Sequence, residues 1–354
     1  MNETTRKAPT IRDVAASCGV SISTVSRVVN GREWVSPETK ERVQKAVNDL
    51  GFQPRGFAQN MRRPNPSTNS YGILLASPSP QIYHDDLFMS ILHGVGDIAE
   101  EESKSLLVAR VPQHYRTVDD LPAIIRNKLV DGLIVGGIPI SDRTIRDLAA
   151  IGLPLVVIGR YPAYSRYSVL VDNYGGTRAA TEHLIERGHR SIACVSGPYD
   201  IYSFQDKVDG YRAALSKHGI AIRPDLFVEE EISGDPVEAG YIAAEELWAR
   251  QTDATALLVL DSQMRIGVFN SLSSRNVIIP DDLAIVGYDT QAATSNEGGF
   301  LTNVSVSGLS IGHAAARLLS DVIRGRVGER LSITVSTDLV LGRSTLGASA
   351  GSAR

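Results

Sequence analysis

Between Gly19 and Gly31 the chain reads GVSISTVSRVVNG, which sets Ser21, Ser23, Thr24, Ser26, Arg27 and Asn30 close together. Hydroxyls, a guanidinium and a carboxamide donate and accept hydrogen bonds but pack poorly. Such a set recognises a polar partner; it does not break bonds. The groupings that do break bonds are missing. There is no GxSxG, no HExxH and no cysteine–histidine pairing. VGGIP and VSGPYD hold glycines, yet neither GxxxxGK[ST] nor GxGxxG occurs, so no phosphate-cradling loop is read. Asp85–Asp86 beside His84 is the nearest approach to a catalytic cluster. Adjacent carboxylates on an exposed loop are ordinarily solvated. Neither an enzyme nor a cofactor is expected.

The elements that must carry those polar residues follow from spacing. Val25, Val28 and Val29 recur at three and four residues, the apolar stripe of a helix. Ser21 can cap that helix, and Asn30-Gly31 closes it. A helix before it starts at Thr10, buries Val14 and Ala15, and stops at Gly19. A third starts with Ser36 as cap and Pro37 in first place, lines Val43, Val47 and Leu50 on one face, and ends at Gly51. Two short helices across a tight Gly-Val-Ser turn are the helix-turn-helix plan. A plain three-helix bundle is the alternative, but its outer faces would carry Glu/Lys pairs rather than hydroxyls.

Charge and composition agree with a head that meets an anion. The 354 residues carry a net charge of -4. Residues 1–66 alone hold 11 lysines and arginines against 6 acids, and the remainder holds 25 against 34. A basic head on an acidic body fits contact with nucleic acid through the head only. No long uncharged apolar run or secretory leader is evident, and the two cysteines, Cys18 and Cys194, have no ligand-like spacing. A cytoplasmic protein without disulfides or a metal site is expected.

TIRDVAASCGVSISTVSRVVNG, followed by VSPETKERVQKAVNDLGFQP, resembles the head of the lactose-repressor (LacI/GalR) family of bacterial transcription regulators. The resemblance implies that Ile22, Ser23 and Arg27 face base edges in the major groove. Arg27 could pair two-pronged with guanine. Thr10, Thr24, Ser26 and Asn30 would hold phosphates and register, and Ser21 and Arg55 belong to the same DNA-binding set. The partner implied is double-stranded, pseudo-palindromic operator DNA, bound by a homodimer in the bacterial cytoplasm, at the nucleoid.

FQPRGFAQNMRRPNPSTNS then reads as a hinge, since Pro54, Pro64 and Pro66 interrupt any longer helix. In the resembled family this segment folds on DNA and wedges an apolar side chain into the minor groove. Met61 stands where leucine is usual, and Gly56 where alanine is common. A simple flexible linker is the alternative.

From Tyr71 onward, apolar runs such as YGILLA, SLLVARV, GLIVGG, LPLVVIG, SIACVSG, ALLVL and LAIVGY alternate with helical patterns. Strands buried on both faces between helices make parallel α/β architecture, and their number asks for two doubly wound lobes. The boundaries read are a head at 1–53, a hinge at 54–70, a core at 71–345 and a disordered tail at 346–354. Within the core, lobe 1 takes about 71–172 and 304–331, and lobe 2 about 173–303 and 332–345. The tail lacks the apolar heptads of a tetramerising helix.

VLVDNYGGTRAATEHLIERGHRSIACVSGP, VDGYRAALSKHGI, IIPDDLAIVGYD and LVLGRSTL are similar to the core of the same regulators, which resembles periplasmic sugar-binding proteins. Their effector sits between the lobes, outside the carboxyl ends of strands. That places Ser77, Tyr83, Phe88, Arg160, Tyr161, Tyr202, Lys207, Asp261, Ser262, Tyr288 and Asp289 at the cleft. Three positions depart from the family pattern: Lys207 for a usual arginine, and Ser262 and Gly159 for usual aspartates. Lysine lacks the planar fork of arginine. Two readings stay open: an effector, carbohydrate-related by preference, that is a sugar phosphate, sugar acid or other anionic metabolite held by Lys207, or a decayed pocket with regulation from protein level or a partner protein. A soluble sugar-binding receptor is a further alternative; it would need an export signal.

Overall fold

Short side chains close the helix ends of the head in the computed structural model, which describes residues 9–29, 35–52, 67–75, 86–111, 115–136, 140–162, 164, 166–231, 234–290 and 299–346. Helix α1 (Ile11–Cys18) starts where Thr10 gives both its backbone N–H and its hydroxyl to Asp13 Oδ2, each at 2.7 Å. It stops at Gly19, whose φ of 64° lies in the left-handed region that a side chain would strain. Helix α2 (Ile22–Val29) is capped by Ser21, whose Oγ accepts from Thr24 N at 3.1 Å. Helix α3 (Pro37–Leu50) is capped by Ser36 and ends at Gly51 with φ 63°. Val14, Ala15, Cys18, Val25, Val28, Val43 and Ala46 form the buried centre of the head. Leu50, expected on that inner face, is instead 37% exposed. Ala46, one turn earlier on the same face, is the residue buried there.

The chain divides into two units, Met1–Thr68 and Asn69–Arg354. Among the described residues, the second unit forms two six-stranded sheets. The first sheet has β1 (Ser70–Leu75), β2 (Ser105–Arg110), β3 (Gly132–Gly136), β4 (Leu155–Ile158), β5 (Tyr167–Val171) and a late strand, Leu331–Val335. Among them stand α4 (Asp86–Glu101), α5 (Ala123–Arg126) and α6 (Asp142–Ala150). The second lobe runs α7 (Asn173–Glu186), β6 (Ile192–Ser196), α8 (Tyr202–Lys217), β7 (Phe227–Glu229), α9 (Pro236–Ala249), β8 (Ala256–Val259), α10 (Ser262–Ser274), β9 (Ala284–Thr290) and β10 (Thr302–Val306). Helix α11 (Gly308–Ile323) returns to the first lobe and leads to β11, the late strand Leu331–Val335. Strand β12 (Asp338–Val340) closes the second sheet. The sheet orders are β11-β5-β4-β3-β1-β2 and β12-β10-β9-β8-β6-β7, all parallel except β12 against β10. This is the doubly wound, two-lobed core expected.

Two expectations about the core change. Leu331–Val335 pairs with Tyr167–Val171 in the first sheet, so most of these residues leave the lobe 2 range of 332–345. The last crossing therefore follows Val335. The middle crossing lies between Val306 of β10 and Gly308 of α11, later than residue 304. LSITV alternates polar and apolar residues, so apolar runs do not say which sheet receives it. The run SLLVARV reads as buried on both faces, but β2 is a sheet edge and Val108 is 42% exposed. Hinge residues 54–66 and tail residues 347–354 lie outside the described residues.

Helix pairs cover the sheets at close range. A Cβ on Gly94 of α4 would lie 2.4 Å from Leu309 O of α11, and one on Gly240 of α9 would lie 1.9 Å from Met264 O of α10. Only glycine permits backbones to cross so closely, and this sets each pair firmly on its sheet.

Candidate functional site

The outer face of α2 is set by its two buried valines. Val25 is 0% and Val28 7% exposed, while Ile22 is 46% exposed. Ser23 and Arg27 are exposed, and Thr24 and Ser26 half-buried. Ser21 Oγ lies 2.7 Å from Ser23 Oγ and 2.8 Å from Thr24 Oγ1, so these hydroxyls form one cluster at the start of the helix. Ser21 and Thr10 thus serve as helix caps, and what they offer a partner is their remaining hydrogen-bonding capacity. Asn30, Arg55 and Met61 lie outside the described residues.

In the core, Arg160 follows β4 and reaches the other lobe. Its Nη2 donates to Asp206 Oδ1 at 2.7 Å and to Gln205 Oε1 at 3.2 Å, both on α8. Its guanidinium lies over the Tyr202 ring, 4.8 Å from the centroid. Burial pushes the Asp206 carboxyl up from its ordinary value, and the Arg160 charge works against that rise. Gln205 and Asp206 were missed in the sequence; their place on the first turns of a helix after a strand end was the available signal.

Lys207, the next residue on α8, turns into its own lobe. Its Nζ donates to Leu260 O at 2.7 Å and lies 4.1 Å from the Tyr288 ring centroid and 5.1 Å from that of Phe204. Burial lowers its pKa to about 8, with the Asp261 charge opposing. Tyr288 is 3% exposed, hydrogen-bonds Thr177 Oγ1, and donates to Asn173 O at 3.1 Å. The ammonium gives one of its three donors to Leu260 O, so the others can hold an electron-rich ligand atom.

Asp289, Phe88 and Tyr161, expected at the cleft, pair or pack elsewhere, while Asp261 and Ser262 begin α10. Asp261 caps α10, with Oδ1 accepting from Gln263 N at 2.8 Å and Met264 N at 2.9 Å. Ser262 is then the first residue of that helix. Asp289 Oδ2 accepts from Arg265 Nη2 at 2.6 Å. Successive strand residues face opposite sides of a sheet, so Asp289 points away from Tyr288 toward α10. Phe88 is 7% exposed within the apolar core. Tyr161 packs into the first lobe, where burial raises its pKa to about 12. Gly159 beneath it has φ 111°, and a Cβ there would be 3.4 Å from Tyr161 Cε2. Ser77, Tyr83, His84 and Asp85 lie outside the described residues. What the fold brings together is therefore two groups, Arg160 with Tyr202, Gln205 and Asp206, and Lys207 with Phe204 and Tyr288.

Family models match both units of the chain. Residues 10–55 match the model described as bacterial regulatory proteins, lacI family, and residues 181–345 match a periplasmic binding protein-like domain. The HTH-type transcriptional regulator CelR of Thermobifida fusca is 30% identical over 347 residues, covering 96% of this chain and 99% of that protein. The HTH-type transcriptional repressor PurR of Vibrio campbellii (strain ATCC BAA-1116) is 27% identical, covering 94% and 97%. Among solved structures, a CelR–cellobiose complex is 30% identical and aligns with a TM-score of 0.71 over 95% of this chain and 99% of that one. A lac repressor dimer bound to operator and the anti-inducer ONPF is 24% identical and shares the fold, with a TM-score of 0.80 over 96% and 100%.

Proposed function

Because the chain belongs to the LacI family of bacterial DNA-binding regulators, we propose that it is a repressor whose grip on a pseudo-palindromic operator is set by a carbohydrate-related effector held between the core lobes. The observation that carries the DNA half is the face of α2, where buried Val25 and Val28 turn Ile22, Ser23 and Arg27 outward. One such face offers too few contacts for specific binding, so a homodimer reads two half-sites. Met61 then wedges the central step, and Arg55 and Asn30 hold phosphates. The effector half is supported by the CelR–cellobiose complex and by the two cation–aromatic pairs, Arg160 with Tyr202 and Lys207 with Tyr288. Effector and operator are linked: a ligand that prefers one lobe arrangement shifts DNA affinity by the same coupling free energy, about 1–3 kcal/mol.

A second reading, a regulator without a metabolite effector, draws on one feature. Both cleft cations already have partners within the chain, Asp206 for Arg160 and Leu260 O for Lys207. A gel shift on DNA upstream of the gene, repeated with neutral sugars, sugar phosphates and sugar acids, separates the two. Release by one class supports the effector reading. A shift that no compound alters rejects it, and no shift at all rejects the repressor. Sedimentation that finds only monomer at micromolar concentration, with no pairing on DNA, rejects the dimer.

A further inference from the structure

The second lobe has a cavity away from the cleft cluster. It measures about 440 Å³ and is lined by Arg265, Phe269, Phe300, Leu301, Asn303 and Leu341 among others. Ligand pockets run roughly 300–1,000 Å³. Strand register places it. Asn303 of β10 stands opposite Gly287 of β9 and Val340 of β12. Val304, the next residue, faces α7, because a Cβ on Gly176 would lie 2.7 Å from Val304 Cγ1. Asn303 therefore faces the other side of the sheet, toward α10. A Cβ at Gly287 would lie 2.8 Å from Arg265 Cδ, so the missing side chain gives the arginine stem its path across the sheet.

Among the described residues, two polar atoms at this place have no hydrogen-bond partner. Asn303 is 2% exposed and its Oδ1 is buried without a hydrogen bond; Arg265 Nε is buried in the same condition. An unpaired buried polar atom forfeits the hydrogen bonds it would make to water, which destabilises the fold. Native folds retain such atoms where a ligand or water completes them. The charge is balanced, since Arg265 Nη2 already holds Asp289 Oδ2 at 2.6 Å. A ligand here needs no charge. It must accept one hydrogen bond from Nε–H and donate one to Oδ1. Phe269 and Phe300 supply flat apolar walls, and Phe300 and Leu341, 42% and 57% exposed, stand at the rim.

We propose that this cavity is a second ligand site, on the face of the sheet opposite Tyr288, for an uncharged ring compound that carries an amide N–H and C=O. The amide completes Asn303 and Arg265, and the ring lies between the phenylalanines. A charged acid is rejected, because a carboxylate offers Asn303 no donor and meets Asp289.

Calorimetry and ligand-observed NMR on the full chain test this with benzamide as probe. Benzamide should bind saturably. N,N-dimethylbenzamide, which cannot donate, and benzoate should bind about tenfold more weakly, the loss expected when one buried partner stays unpaired. Asn303→Leu should weaken benzamide by a similar factor, and Leu341→Trp, an exposed change that narrows the rim, should do the same without altering the fold. Lys207→Ala should leave benzamide binding intact. The proposal fails if benzamide shows no saturation up to about 10 mM, a decade beyond the millimolar range of fragments. It fails equally if the dimethyl amide binds as well, if Lys207→Ala alone abolishes binding, or if a crystal structure finds the cavity filled by a side chain of a second copy.

Discussion

Arg160 Nη2 lies 2.7 Å from Asp206 Oδ1, and this ion pair joins the end of β4 in one lobe to α8 in the other. The two side chains are 46% and 32% exposed, so water screens the pair and its share of folding stability is small, about 0–1 kcal/mol. Its larger effect is geometric, since it ties together two bodies that must move if an effector is to change their arrangement. Arg160→Ala should leave the melting temperature within a few degrees and raise the Asp206 pKa further, because the guanidinium that opposes burial is gone. Hydrogen exchange at the start of α8 should quicken. Exchange over residues 202–207 identical to wild type would show that the pair holds nothing closed.

Lys207 gives a pH signature with a defined sign. Its folded pKa, about 8, lies below the ordinary 10.5, so the unfolded chain binds the extra proton between those values. Stability therefore rises with pH across that window, and the cost of keeping the ammonium buried is fully present below pH 8. Relative to Lys207→Met, wild type should gain up to roughly 3 kcal/mol between pH 8 and 10.5, since each tenfold change in proton affinity is worth about 1.4 kcal/mol. Urea unfolding of both proteins at several alkaline pH values measures it. A constant difference would mean the ammonium is as well solvated folded as unfolded.

Arg27 and Thr24 should separate in kind. Arg27→Ala should lose discrimination at one base pair per half-site, by about 1–3 kcal/mol. Thr24→Ala should weaken all sequences nearly alike, and the hydroxyl cluster with Ser21 should lose a member. Binding to a panel of point-mutant operators reads both. A uniform loss for Arg27→Ala would move it from base reading to phosphate contact.

Gly159 should resist return to aspartate. Its φ of 111° is a conformation that side chains rarely adopt, and Tyr161 packs against it. Gly159→Asp should cost about 1–3 kcal/mol in thermal unfolding, whatever it does for sugar binding. A melting temperature equal to wild type would mean that the backbone relaxes without cost.

The sequence determined the head and the class of core. Caps at Thr10, Ser21 and Ser36, stops at Gly19 and Gly51, and the Val25–Val28 stripe are local signals, each decided within four residues. The apolar runs of β1, β3, β4, β6, β8 and β9 were legible for the same reason, being buried on both faces. The weaker strands β5, β7, β10, β11 and β12 were not among those runs, because their burial depends on which sheet accepts them. The cleft was only partly legible. Strand ends told which residues could reach it, but orientation is fixed by partners distant in sequence. Arg160 points across to Asp206, Lys207 turns under Tyr288, and Asp289 turns the other way to Arg265. Only the tertiary fold decided those directions, because a side chain at a strand end settles where a counter-charge or ring lies, and those come from elements 24 to 81 residues away.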